Sequence, residues 1–344
     1  VPRDVRTPVV SCLAAALLFG ASIPASKRLL GDIAPLTLAG VLYLGAALAV
    51  APFALRGLGK LRRPNAANVR RLAASAVFGG GLAPVLLLVA LSRAPSASVS
   101  IWSNLEGVLT AVLAWAFFRE SMGRRTWFAV ALSGAGYAVL AGPSDVDPTT
   151  AALLLGACLS WALDNNVTSL IDGVTPAQTT FVKGLFAGSV NLALGLAFDT
   201  TSPTLPTIGA ALAIGAFSYG LSIVLYVSAA QRLGAARSQM IFAAYPFLGM
   251  ALAWTAFGEP VLGTQVAAAA IVAAAVTLML TDRHEHEHTH EPLSHTHAHR
   301  HDDGHHDHVH EGLAPSTWHS HAHEHGAVTH SHPHHPDLHH RHAH

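Results

Sequence analysis

Apolar residues run along this chain in long continuous stretches, and the polar positions between them are few and rich in helix breakers. Ten stretches stand out, near residues 8–28, 34–55, 72–92, 97–117, 126–142, 149–170, 177–198, 207–229, 236–256 and 262–281. A helix crossing about 30 Å of hydrocarbon needs about 20 mostly apolar residues, so each stretch predicts one span. Strands of a membrane barrel would alternate in polarity, and these runs do not. The connections carry Gly57 and Gly59, Pro95, Gly142-Pro143, Gly173, Pro203 and Pro206, Gly234, and Gly258 before Pro260. The pattern therefore predicts an all-α integral membrane protein of ten transmembrane helices. Arg3 and Arg6 precede the first apolar run as in a signal peptide, but the spans that follow favour reading it as the first helix.

The pattern also repeats. Trp102 to Glu120 and Ile241 to Glu259 align at an offset of 139 residues, through Ala114/Ala253, Trp115/Trp254, Phe118/Phe257 and Glu120/Glu259. Upstream the same register pairs Phe78/Phe217, Gly81/Gly220, Leu82/Leu221, Val85/Val224 and Arg93/Arg232. Residues 1–142 and 143–282 are thus expected to be two five-helix repeats, followed by a separate tail over 283–344. An odd number of spans per repeat inverts the second relative to the first, an architecture that suits carriers.

Lysines and arginines set the expected orientation. With a cytoplasmic N-terminus, thirteen fall in inside loops, including Arg56, Lys60, Arg62, Arg63, Arg70, Arg71, Arg119, Arg124, Arg125 and Arg237. Lys27, Arg28 and Arg93 fall outside. The positive-inside rule then places both termini in the cytoplasm of a multi-pass plasma or inner membrane protein.

Composition supports this picture. The chain is 51% hydrophobic and 12% charged, against roughly 25% charged in soluble domains. Cys12 and Cys158 both lie in apolar runs and offer neither a disulfide framework nor zinc spacing. No nucleophile elbow, phosphate loop or HExxH motif is present, so an enzyme is not expected. No cofactor is expected to be required, and nucleic acid is not an expected partner.

Several residues together resemble the drug/metabolite transporter superfamily and, within it, the EamA-type carriers. They are Phe19-Gly20-Ala21-Ser22-Ile23-Pro24-Ala25-Ser26-Lys27, Ala90-Leu91-Ser92-Arg93-Ala94-Pro95-Ser96-Ala97-Ser98, and the glutamates closing Phe-Phe-Arg-Glu120 and Phe-Gly-Glu259. The resemblance covers about residues 8–281 and implies a ten-helix fold, a central substrate cavity and alternating access. The chain departs from the family pattern at Leu42-Tyr43-Leu44, where an arginine is common. It departs again at Glu106-Gly107, where a proline is typical and where the second copy keeps Tyr245-Pro246.

Ionisable residues at membrane depth cost roughly 2.5–3.5 kcal/mol on insertion scales and are normally hidden in the bundle interior. Glu106, Asp164 and Lys183 are three such residues. Asp164 and Lys183 each lie about 9 Å inside the same interface by helical rise, which makes them expected partners. They form either a structural ion pair or a substrate gate. Glu106 has no basic partner at its depth and suits a site where substrate and proton compete. The alternative is a permanently protonated acid bonded to Asn104 or a backbone carbonyl. Asn165, Asn166 and Thr168 extend the polar run, and Asn191 follows on the next helix; unpaired amides are not tolerated in lipid, so a shared network or wet cavity is expected. Residues 164, 165 and 168 are expected to share a helix face. Trp102 and Trp161 are candidate aromatic walls. Gly184 to Gly188 and Gly79 to Gly81 are expected packing contacts.

All 24 histidines lie from His284 onward. Most stand as His-x-His: His284, His286, His288, His290, His295, His297, His299, His301, His305, His306, His308 and His310 lead the series. Little there can form a core, so disorder is expected. Neutral imidazoles bind zinc, nickel, cobalt or copper and release them as they protonate below about pH 6.5. The expected function is secondary active export of a small metabolite, proton-coupled through Glu106, with a metal-binding cytoplasmic tail. Divalent-metal export, or a metal-responsive membrane protein, is the alternative. The expected partners are lipid, a small-molecule substrate, protons and divalent metal ions. The sequence leaves monomer and homodimer both open.

Overall fold

A computed structural model describes residues 6–56, 66–118, 124–140, 146–168, 170–171, 174–233, 241–280, 284–290, 293–299, 319–325 and 328–334. Of the positions singled out above, Arg3, Gly57, Gly59, Lys60, Arg62, Arg63, Arg119, Glu120, Gly142, Pro143, Gly173, Gly234, Arg237, His301, His305, His306, His308 and His310 lie outside them.

The helices are α1 (Arg6–Gly20), α2 (Ser22–Leu29), α3 (Pro35–Leu55), α4 (Ala66–Ser75), α5 (Ala83–Arg93), α6 (Ser96–Trp102) and α7 (Leu105–Phe118). They continue with α8 (Arg124–Leu140), α9 (Pro148–Thr168), α10 (Pro176–Phe198), α11 (Leu205–Ile214), α12 (Ser222–Leu233), α13 (Tyr245–Thr255) and α14 (Gly263–Leu280). Six runs among the described residues are long and apolar enough to cross a membrane: Thr7–Leu29, Pro35–Leu55, Ala66–Arg93, Ser96–Phe117, Pro176–Phe198 and Leu205–Tyr226. Trp127–Leu140 and Gly263–Leu278 are shorter apolar helices.

Helix starts follow from local chemistry. Thr175 and Gln178 form a reciprocal capping box ahead of Pro176. Asp147 caps α9, accepting from the Thr149 and Thr150 N–H groups at 2.9 and 3.2 Å.

Two helices contain wide π-helical turns, Ala76–Leu82 between α4 and α5 and Gly215–Leu221 between α11 and α12. These stand 139 residues apart, the offset seen in the sequence. Such turns widen the backbone ladder and mark functional sites. Here the carbonyls of Gly79, Gly80 and Gly81 accept side-chain donors. Tyr43 Oη and Trp161 Nε1 donate to Gly79 at 2.6 and 3.1 Å, and Asn191 Nδ2 donates to Gly80 and Gly81 at 3.3 and 3.2 Å. Asn191 is therefore occupied with the backbone.

α3 packs directly against α10 through small residues. A Cβ added at Gly184 would meet the Tyr43 carbonyl oxygen at 2.7 Å, and one at Gly188 would meet Leu44 N at 2.9 Å. The close contact expected of Gly184 to Gly188 is present. Large apolar side chains such as Leu196 and Phe198, 75% and 74% exposed, cover the bundle's exterior, as lipid contact requires.

The stretch read as one helix across 97–117 is instead broken at Ser103-Asn104. Ser103 Oγ donates back to Val99 O at 3.0 Å and Asn104 Nδ2 to Ile101 O at 3.2 Å. Short polar side chains compete for helix carbonyls in this way and favour a turn. The second copy breaks correspondingly at 243–244, just before Tyr245.

The tail also differs from expectation. Its described residues form β1 (His284–His290), β2 (Leu293–His299), β3 (His319–His325) and β4 (Val328–His334), with β1 antiparallel to β4 and β2 to β3. Composition argued for disorder, but His-x-His alternation also has the two-residue period of a strand. The register sets His284 opposite His334, His286 opposite His332, and His297 opposite His321.

Candidate functional site

Two of the three ionisable residues, Asp164 and Lys183, lie on the helices packed against the first π-helical turn. Lys183 on α10 donates to Asp164 Oδ2 on α9 at 2.5 Å, joining the two residues that helical rise placed at one depth. Both are largely buried, with 17% and 7% of their side chains exposed. Asp164 Oδ1 also accepts from Ser75 Oγ at 2.5 Å and Thr168 Oγ1 at 2.9 Å. Gly79 faces this carboxylate so closely that an added Cβ would overlap it. The π-helical turn and its glycine thus leave room for a buried ion pair with three donors on one aspartate.

Asn165, the next residue, faces elsewhere. Its Nδ2 donates to Glu106 Oε1 at 2.8 Å and to Thr110 Oγ1 at 3.3 Å. Residues 164 and 168 share a contact and 165 does not, so the single polar face expected of α9 is divided. It points to Ser75 on one side and to α7 on the other. Asn166 Nδ2 donates to Thr110 O and Ala162 O at 3.2 and 2.9 Å.

Glu106 sits in the first turn of α7, immediately after the helix break. Tyr245 Oη lies 3.5 Å from its Oε2 and 3.4 Å from Ser103 O. Glu106 and Tyr245 are separated by 139 residues. The same position in both repeats thus meets at the point where both helices are interrupted. Glu106 is half-buried and Asn165 exposed, so their hydrogen bond is not sealed inside the packed core. Among the described residues the ion pairs are Arg93–Asp147 and Lys183–Asp164, and neither includes Glu106.

Rings pack around Tyr245. Phe19 lies 4.8 Å from it edge-on and 5.4 Å from Tyr219, while Phe242 lies 5.4 Å from Tyr245 and 4.8 Å from Tyr226. Tyr43 follows at 5.7 Å from Tyr219. Of the expected walls, Trp161 is fixed to Gly79, and Trp102 stacks on Tyr137 at 5.1 Å. Asn104 does not reach Glu106; its amide is turned to Ile101. Sequence reasoning missed Ser75, Thr110, Phe19, Tyr219 and the contact of Tyr245, although the offset already paired 245 with 106.

At one end of the bundle Glu259 reaches α6. Gly258, at φ 69°, makes the left-handed turn after α13 that swings the carboxylate over. Ser96 N and Ser96 Oγ donate to Oε1 at 3.0 and 2.6 Å, and Ala97 N donates to Oε2 at 3.0 Å. Lys27 donates to Leu91 O and Ala94 O at 2.6 and 2.9 Å, at the end of α5. Both residues belong to the segments that carry the family resemblance.

Among the described residues no group of three histidine, cysteine, aspartate or glutamate side chains is placed to hold a metal ion.

The EamA-like transporter family model matches the chain over residues 6–142 and again over 149–281. A protein of Methanothermobacter thermautotrophicus described as an uncharacterized transporter is 24% identical over 274 residues, covering 73% of this chain and 79% of that protein. A solved crystal structure superposes with a TM-score of 0.58 at 17% identity, over 79% of this chain and 95% of that one. At that identity the likeness speaks to fold.

Proposed function

Because the chain belongs to the EamA-like transporter family and is a multi-pass membrane transporter, we propose that it is a proton-coupled exporter of a small metabolite. It works by alternating access between two inverted five-helix repeats, 1–142 and 143–282, that make ten spans in all. The observation that carries this reading is the meeting of Glu106 with Tyr245, its counterpart in the other repeat, where both helices are interrupted. Interrupted spans at a repeat interface are where carriers bind substrate and coupling ions.

Substrate and proton compete at Glu106. The titratable and polar groups around it include Tyr245 on α13, Asn165 and Asp164 on α9, Cys158 about a turn and a half earlier on α9, Lys183 on α10, Tyr43 on α3 and Tyr219 in the second π-helical turn. The Asp164–Lys183 pair joins α9 to α10 on one side of the hollow. The arginine-rich loops and both termini face the cytoplasm. The tail is a metal-binding appendage for zinc, nickel, cobalt or copper, and the His-opposite-His register of its strands supports that reading.

The test is a ligand-stabilisation screen of the purified full chain against amines, amino acids, carboxylates, sugars and divalent metals, followed by uptake of the hit into proteoliposomes. An imposed pH gradient should drive accumulation in the wild type. Glu106→Gln should lose gradient-driven accumulation and keep only exchange at raised ligand concentration. Accumulation unchanged in Glu106→Gln refutes the coupling site. Deletion of 284–344 should leave transport of a metabolite intact; loss of metal transport on that deletion would favour the metal-export alternative.

A further inference from the structure

Resting on the reading of Glu106 as a substrate contact, we propose that the substrate is a small organic cation. Its ammonium centre would sit beside the Glu106 carboxylate, against the rings of Tyr245, Phe19 and Phe242. Glu106 is held by two neutral donors, Asn165 and Tyr245. Neither brings a charge to balance a carboxylate. Lys183, a cation on a neighbouring helix, is matched by Asp164, whose oxygens also take Ser75 and Thr168. That pair leaves Glu106 as the charge to be complemented, and it disfavours an anionic substrate.

The aromatic chain supplies the rest. Tyr226, Phe242, Tyr245, Phe19, Tyr219 and Tyr43 are linked ring to ring at 4.8 to 5.7 Å, and Phe19, Tyr226, Phe242 and Tyr245 keep accessible surface. Ring faces carry a negative quadrupole that attracts organic ammonium ions, most strongly where water is excluded. Two of the phenols are already committed, Tyr43 to Gly79 O and Tyr245 to Glu106 and Ser103 O, which fixes their rings. A bare metal ion is a poorer match. It needs several ligating side chains, and the described residues hold no group of three.

The probes are choline, benzyltrimethylammonium and tyramine. The controls are 3,3-dimethylbutan-1-ol, the neutral isostere of choline, and the anion 3,3-dimethylbutyrate. Binding is read by calorimetry on the full chain in detergent. At least one cation should bind at least about tenfold more tightly than the neutral isostere, and the anion should not bind. Glu106→Gln should weaken the cation by at least about tenfold and Phe19→Leu by a few-fold, with Tyr245→Phe, which keeps the ring, the mildest. Glu106→Asp, retaining charge, should bind with intermediate affinity and serves if the Gln variant does not fold. Glu106-dependent binding of the neutral or anionic control at equal affinity overturns the cation class and leaves the Glu106 site standing. Cation binding indifferent to both Glu106 variants overturns the class and the site together. Failure of all three cations overturns the proposal.

Discussion

Separating Asp164 from Lys183 tests whether this interior depends on a matched charge pair. Removing one partner of a buried ion pair costs about 3–5 kcal/mol, because the other charge stays buried without compensation. The two single substitutions should not cost the same. After Lys183→Met, Asp164 keeps the hydroxyls of Ser75 and Thr168, and hydrogen bonds to a charged group are worth about 1.5–3 kcal/mol each. The loss should therefore fall near the low end of the range, about 3 kcal/mol. After Asp164→Leu, Lys183 loses the carboxylate it is bonded to and the two hydroxyls lose their acceptor, so the loss should approach about 5 kcal/mol. In Asp164→Leu/Lys183→Met an apolar pair replaces the ionic one, and stability should return to within about 2 kcal/mol of wild type. Reversible unfolding in mixed detergent micelles measures all four proteins as a double-mutant cycle. Additive losses, or single losses below about 1 kcal/mol, would refute the pair as a buried, coupled unit.

Three further outcomes follow from the same geometry. Gly79→Ala should cost about 1–3 kcal/mol, because its methyl overlaps the Asp164 carboxylate; an unchanged melting temperature would contradict the packing of that turn. Glu259→Ala should cost about 0.5–2 kcal/mol by uncapping α6; Glu259→Gln, which keeps one acceptor oxygen, should lose less, and equal losses would argue against the cap. Asp147 has its carboxyl held below the ordinary aspartate range, first by the Thr150 hydroxyl and then by the Thr150 N–H, with Thr149 and Arg93 adding. Its contribution is present above the unfolded aspartate value, about 3.9, and is lost as pH falls through the lower native value. The acid limb of a stability–pH curve should therefore flatten in Asp147→Asn.

Six of the expected spans were legible, among the described residues, because lipid demands continuous apolar helices. The Asp164–Lys183 pair was legible because helical rise converts residue number into depth. Other features depend on tertiary choices that periodicity does not record. The break at Ser103-Asn104 turns on two side chains preferring helix carbonyls. The π-helical turn at Gly79 turns on donors from three other helices. The division of α9, with Asp164 facing Ser75 and Asn165 facing Glu106, needs the position of both neighbours. The contact of Glu106 with Tyr245 was half visible: the offset made them equivalent, but equivalence does not imply touching unless both lie at the centre of the bundle. In the tail, composition concealed a two-residue alternation that pairs as strands.

The central claim is that Glu106 and Asn165 border a watery hollow between the interrupted helices. Cysteines placed at Asn165 and at lipid-facing Leu196, each in a Cys12→Ser/Cys158→Ala background, can be challenged in vesicles with a charged, membrane-impermeant thiosulfonate applied to both faces. Modification of Asn165→Cys with Leu196→Cys left untouched is the predicted result; Asn165→Cys as inert as Leu196→Cys would contradict the account.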